Sequence, residues 1–200
     1  MRLKELFETW NKNPVLFAIA TNGLDPNKDK ILAIALTSDL DKGLDDLFLN
    51  ETHGDELMKA QKFHTITEEL MRYAIPESDF IENIKNSFND GILLSYNAPF
   101  QHAFLASLLQ EPSLSIFDLS IIEQAIRKGL SFDEEEIATP YGFYQACQAR
   151  YFPLPVNTIC KNLKFSRQPA PGELPVAHSL EILKRLYNEA SYPEVQLLQS

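Results

Sequence analysis

Side chains suited to acid–base or cation-binding work are few in this chain and widely spaced. Asp25 precedes Pro26, Asp118 follows an apolar run, His178 opens a helical stripe, and Glu181 lies three residues beyond it. Carboxylates hold hard cations and histidine moves protons. Each of these residues also has a plainer role. Asp25 suits a turn, Asp118 a helix N-cap, and Glu181 a solvated helix face. His53 sits in a polar loop, His64 opens "HTIT", and His102 follows Gln101 on a helix. Cys147 and Cys160 read as buried thiols, and neither has a histidine at zinc-ligand spacing. A Gly-rich phosphate loop, a nucleophile elbow and an HExxH pair are all absent. Residues 17–26, "FAIATNGLDP", raise a different question. Ala18 and Ala20 share one face of a strand just before it enters its turn, a common place for chemistry, yet neither has a reactive group.

The elements around these residues follow from periodicity. Leu3, Leu6, Phe7 and Trp10 predict an amphipathic helix over 2–11, within an N-terminal segment 1–12. Strands are predicted over 15–20, 31–37 and 43–50, and their short connections make an antiparallel meander. Helices follow over 67–74 and 77–89, the second starting at Ser78. A buried strand is predicted over 91–96, a helix over 98–110 with Pro99 in its first turn, and a fifth strand over 114–118. Helices over 119–129 (closed by Gly129), 140–150, 155–163 and 177–190 complete the pattern, with a Pro-rich loop at 164–175. Strands leading and strand–helix alternation following predict one α/β domain over 1–200, a mixed five-stranded sheet flanked by helices.

The chain carries 28 Asp and Glu against 18 Lys and Arg, a net charge of −10. Acidic runs at 39–46 and 133–136 read as solvated loops or helix starts. This balance opposes strong nonspecific nucleic-acid binding. Lys161, Lys164, Arg167, Lys184 and Arg185 are the basic residues that could form a local groove. No apolar run is long enough to span a bilayer, and the N-terminus lacks a signal-peptide pattern. The expected setting is therefore cytoplasmic, without a membrane partner.

The order of features carries a resemblance. A strand ends in Thr-Asn-Gly-Leu-Asp-Pro, and "HTIT" (64–67), "ILLSYNAPFQHAFL" (92–105), "FDL" (117–119) and His178 follow. This set, across roughly residues 14–190, resembles the DnaQ-like (DEDDh-type) 3′–5′ exonucleases, which include the proofreading epsilon subunits of DNA polymerase III. The resemblance implies a ribonuclease-H-like fold. In that family four carboxylates hold two Mg²⁺ or Mn²⁺ about 4 Å apart, and a histidine helps deprotonate the attacking water.

On that pattern Ala18 and Ala20 stand where the family keeps its opening Asp and Glu. Gln101 stands at the second-motif Asp and Leu183 at the last Asp, while His178 matches the catalytic histidine. Thr21, Gly23, Leu24, Asn97, Ala98 and Phe100 match the surrounding frame. Two divalent cations bring a charge of +4, and no carboxylate remains at these positions to offset it. The expectation is that no metal cofactor binds and no residue here is catalytic. Laboratory knock-outs rarely use Gln or Leu, so a naturally degenerate site is the simpler reading. The function expected is binding of a single-stranded nucleic acid or a protein. Thr21, Asn22, Gly23, Leu24, Asn97 and Phe100 would form the cleft, with backbone N–H groups near 21–23 as donors. An active exonuclease with atypical metal ligands is the alternative.

Overall fold

The structure is a computed structural model, described here for residues 7–8, 10–39, 44–89, 91–128 and 132–189. Its sheet contains β1 (Pro14–Thr21), β2 (Ile31–Asp39), β3 (Leu44–Leu49), β4 (Ile92–Ser95) and β5 (Ile116–Asp118), in the order β3-β2-β1-β4-β5. β1 pairs antiparallel with β2 and parallel with β4, so the strand carrying Ala18 and Ala20 is central. The mixed five-stranded sheet expected from the sequence is present, with the antiparallel meander leading.

The helices are α1 (Gly54–Met58), α2 (Gln61–His64), α3 (Glu77–Phe88), α4 (Ala98–Leu109), α5 (Leu119–Arg127), α6 (Glu134–Ile137), α7 (Pro140–Gln148), α8 (Val156–Leu163) and α9 (Pro175–Glu189). β1 alternates between two apolar clusters because successive side chains point to opposite faces. Val15 and Phe17 join Phe80, Ile84 and Phe88 of α3 and Phe104 and Leu105 of α4. Leu16, Ala18 and Ala20 join side chains from α5, α7, α8 and α9 on the other face. A strand covered on both faces reads as continuously apolar, as "VLFAIA" does.

Several expectations shift. The helix expected over 67–74 reduces to a 3₁₀ turn, Leu70–Tyr73, and Thr67 Oγ1 accepts only the Leu70 N–H at its entry. α1 and α2 precede it in a stretch too short and polar to show periodicity. α3 begins at Glu77 behind Pro76, and Ser78 Oγ donates to Asp79 instead of capping. The acidic run at 133–136 starts α6: Asp133 accepts from Glu136 N while Glu136 accepts from Asp133 N. Phe7 and Glu8 are helical, but Trp10 and Asn11 form a turn, so the helix expected over 2–11 ends early; residues 2–6, Thr9 and Gly129 lie outside the described residues.

Candidate functional site

The carboxyl ends of β1, β4 and β5 lie side by side, the place where open α/β sheets gather their ligands. Side-chain hydrogen bonds tie these ends to each other and to the helices. Ser95 Oγ donates to Phe17 O at 2.8 Å, joining β4 to β1. Tyr96 Oη donates to Ser179 Oγ at 2.8 Å, joining β4 to α9. Asp118 is fully buried at the end of β5. It accepts the Ala98 N–H (3.1 Å), the Ser120 N–H (3.0 Å) and the Ser120 hydroxyl (2.6 Å). Asp118 is therefore the N-cap expected for α5 and also satisfies the first N–H of α4. All three of these donors point at its oxygens, so it is not a free carboxylate awaiting a cation.

Ala18 and Ala20 have a packing role. Their partners across the β1–β2 ladder are Ala35 and Ala33. All four alanines are buried in one cluster with Val176, Leu180, Leu183 and Leu186 of α9. Four methyl side chains make a shallow seat, and α9 lays its leucines into it. Leu183 is 0% exposed, Ala18 1% and Ala20 8%. Three of the four positions matched to metal ligands thus meet in one close-packed core, where a volume change of a single methylene is felt. Gln101, the fourth, is buried on the first turn of α4, and its Oε1 has no hydrogen-bond partner among the described residues.

His178 is buried on α9 and held on both sides. Its Nε2–H donates to Ser166 O at 2.9 Å, which fixes the proton on that nitrogen because a carbonyl only accepts. Nδ1 lies 3.0 Å from Glu173 Oε2, an arrangement satisfied by one proton between them. The same Glu173 oxygen accepts the Ala170 N–H. The imidazole stacks on Phe165 at 5.2 Å, and the Arg185 guanidinium covers that ring at 4.3 Å. Both ring nitrogens are engaged within the protein. His178 clamps the 164–175 loop to α9 as a hydrogen-bonded structural histidine, and its partners Ser166 and Glu173 lie in a loop without periodicity.

The β1–β2 turn is ordered from within. Asn22 is buried, with Oδ1 accepting from Lys30 N and Nδ2 donating to Glu56 O. Thr21 Oγ1 donates to Gly23 O at 2.6 Å. Asp29 accepts the Asp25 N–H and pairs with Lys59. That lysine, followed by the backbone donors of Asp25 and Leu24, holds the Asp29 carboxyl below the usual range. A Cβ on Gly23 would meet the Asp29 carboxylate, so a side chain there would displace that group. The Asn22 N–H meanwhile donates to Lys30 O. The backbone donors expected to face a nucleotide are thus largely committed inside the turn.

Thr21, Asn22, Gly23 and Leu24 form one continuous turn, with Leu24 83% exposed at its tip. Asn97 is exposed in the left-handed conformation before α4. Phe100 does not share the Ala18 face. It packs beside Phe104 against the Phe17 cluster, because residues 100 and 101 diverge by about 100° on a helix. Asp25 is the expected turn residue, accepting from Asn27 N and pairing with Lys28. Glu181 pairs with Arg185. His64 holds its own loop, donating to Lys59 O and accepting from Ile66 N. Cys147 and Cys160 are free and buried, and burial pushes the Cys147 thiol up to about 12. Among the described residues, no three His, Cys, Asp or Glu side chains are grouped to hold a metal ion. No described helix is long and apolar enough to cross a membrane.

No family model and no curated protein matches this sequence. Solved structures do. The chain superposes on E. coli exonuclease I in complex with a dT13 oligonucleotide with a TM-score of 0.57 and 15% identity. The match covers 88% of this chain and 41% of that one. The fold is exonuclease-like. Exonuclease I from Methylocaldum szegediense gives a TM-score of 0.57 at 18% identity, over 89% of this chain and 40% of that one. A chain of the yeast NOT1 MIF4G domain co-crystallized with CAF1 gives 0.56 at 14% identity, over 94% and 82%. The chain spans about two-fifths of the exonuclease I chains it matches. At such identities the likeness is one of exonuclease-like architecture.

Proposed function

We propose that this chain is a DnaQ-like, epsilon-related protein that has lost metal-dependent 3′–5′ hydrolysis and acts by binding. One observation carries the reading. The positions matched to the metal ligands are occupied by Ala18, Ala20 and Leu183 in a single buried cluster and by the neutral amide of Gln101. Alanine and leucine offer a cation no ligand atom. An amide oxygen coordinates a cation without offsetting its charge, and hydrolysis by two metals depends on both. The internal commitment of His178 and Asp118 supports the same reading, since it removes a general base and a substitute ligand.

The partner class proposed is a single-stranded nucleic acid or a protein. E. coli exonuclease I forms complexes with oligonucleotides, and an ExoI/SSB-Ct complex also shares this fold. The test is a nuclease assay with Mg²⁺ and Mn²⁺ on single-stranded DNA and RNA, paired with calorimetric titration of both metals into the unmodified protein. No cleavage and no metal binding at millimolar concentration are expected. Metal-dependent cleavage by the unmodified chain overturns the proposal. A variant carrying Ala18→Asp, Ala20→Glu, Gln101→Asp and Leu183→Asp tests the alignment; because it buries four carboxyls, its readout is recovery of folded circular dichroism on adding Mn²⁺.

A further inference from the structure

Residues 137–172 contain no Asp or Glu and four Lys or Arg, in a chain of net charge −10. Arg150 pairs with Glu136 at the border of the segment. Lys161, Lys164 and Arg167 are exposed, and among the described residues none of them has an ion-pair partner. Lys161 lies in the last turn of α8, Lys164 is its C-cap in the left-handed conformation, and Arg167 follows in the loop. The other side of α8 buries Ile159 and Cys160, which fixes Lys161 outward. Asn157, Thr158, Asn162 and Gln168 extend this exposed surface with hydrogen-bonding groups.

An aromatic side chain stands at the entry to α8. Phe152 is 85% exposed. Its backbone is not loose: its carbonyl accepts Gln124 Nε2–H at 2.7 Å, and Leu154 N–H donates to Ser120 Oγ at 3.0 Å. Pro153 and Pro155 flank these contacts. A large apolar ring is therefore held in water on a fixed stem. The loop carrying Arg167 is fixed too, through Ser166 and Glu173 on His178. The segment thus presents a preset strip: aromatic platform, amide-rich helix face, three unneutralised cations.

We infer that α8 and its two flanking loops form a single-stranded nucleic-acid binding surface outside the degenerate site. Lys161, Lys164 and Arg167 would contact phosphates, and a base would stack on Phe152. Aromatic rings beside a cationic track are the physical requirement for sequence-tolerant binding of a single strand. A span of 36 residues without acids, on an otherwise acidic protein, favours this strip over the rest of the surface for a polyanion. The inference rests on the proposed binding function but needs neither metal nor the old cleft.

The test is fluorescence anisotropy with labelled dT20 and U20 in EDTA, from 25 to 200 mM salt. Three phosphate contacts on a single strand give a slope of log K against log salt of about −2, a loss of roughly 20-fold between 50 and 200 mM. The triple variant Lys161→Glu, Lys164→Glu, Arg167→Glu is expected to abolish binding, and Phe152→Ala to weaken it about 10-fold. Lys85→Glu, on α3, should change it less than 2-fold. Circular dichroism melting confirms that each variant is folded. Absence of binding at 25 mM salt overturns the inference, as does binding that survives the triple variant. Anionic phosphatidylserine vesicles captured in place of the oligonucleotides also overturn it. Any of these outcomes leaves the loss of hydrolysis standing, whereas metal-dependent cleavage refutes that loss and leaves the strip intact.

Discussion

Leu183→Asp puts the filled-site argument at risk in a single residue. Leu183 is 0% exposed and lies in one cluster with the alanine seat on β1 and β2. Removing a buried leucine side chain costs about 2–5 kcal/mol. A carboxyl in that setting also resists ionisation, and holding it neutral against pH 7 costs about 4 kcal/mol, at roughly 1.4 kcal/mol for each of about three pKa units. The sum, about 6–9 kcal/mol, is comparable to the whole stability of an ordinary domain. Leu183→Asn has nearly the same shape and no titration, so it separates the two contributions. The folded-state carboxyl pKa is raised above its unfolded value of about 3.9. Its penalty is therefore absent below that pH and grows as pH rises towards the folded pKa. Urea unfolding at pH 5 and pH 7.5 should show the Asp and Asn variants diverging by about 3 kcal/mol at the higher pH. If Leu183→Asp lies within about 1 kcal/mol of the parent at pH 7.5 and shows no slope relative to Leu183→Asn, the position is hydrated. The argument that core packing has replaced the metal site would then fail.

Gly23→Ala should drive the Asp29 carboxylate from its place and destabilise the protein by about 1–3 kcal/mol. The same change on an Asp29→Ala background should cost clearly less, as a double-mutant cycle by urea unfolding would show. Because its pKa is depressed in the folded state, Asp29 contributes stability above pH 4 that is lost as pH falls through the folded value. The difference between parent and Asp29→Asn should accordingly shrink on acidification. His178→Ala should release the 164–175 loop, and limited proteolysis should cut between Ser166 and Glu173 faster while the sheet stays folded. Gln101→Leu removes an unpartnered buried oxygen and should leave the melting temperature unchanged or raise it. A drop of more than a few degrees would reveal a partner for that amide.

Much of the fold was legible because the sheet buries both its faces. "VLFAIA" and "ILAIAL" are apolar enough, and bounded sharply enough by turns, to identify two central strands. The antiparallel meander follows from the short connections between the first three strands, whereas the parallel insertion of β4 beside β1 is a feature of the tertiary structure. The stretch from Gly54 to Tyr73 was not legible. Its short helices lack a full amphipathic period, and contacts with the β1–β2 turn through Glu56 and Lys59 hold them in place. Phe100 was misplaced for a geometric reason: adjacent helix residues cannot share a face, and Gln101 took the buried one.

By itself the sequence determined which side chains are missing. Ala18, Ala20, Gln101 and Leu183 lack ionisable groups whatever the fold, so the argument against metal hydrolysis follows from residue type and order. Only the tertiary structure decided what those residues do instead. The alanines pair across two strands and seat α9, because small side chains on a central strand permit close helix approach. His178 ties Ser166 and Glu173 to α9, and these partners lie in a loop whose position no local pattern encodes. The charge-free gaps of a sequence can be counted directly. That Lys161 faces outward depends on which side of α8 the core buries, and the exposure of Lys164 and Arg167 depends on how the following loop leaves the helix.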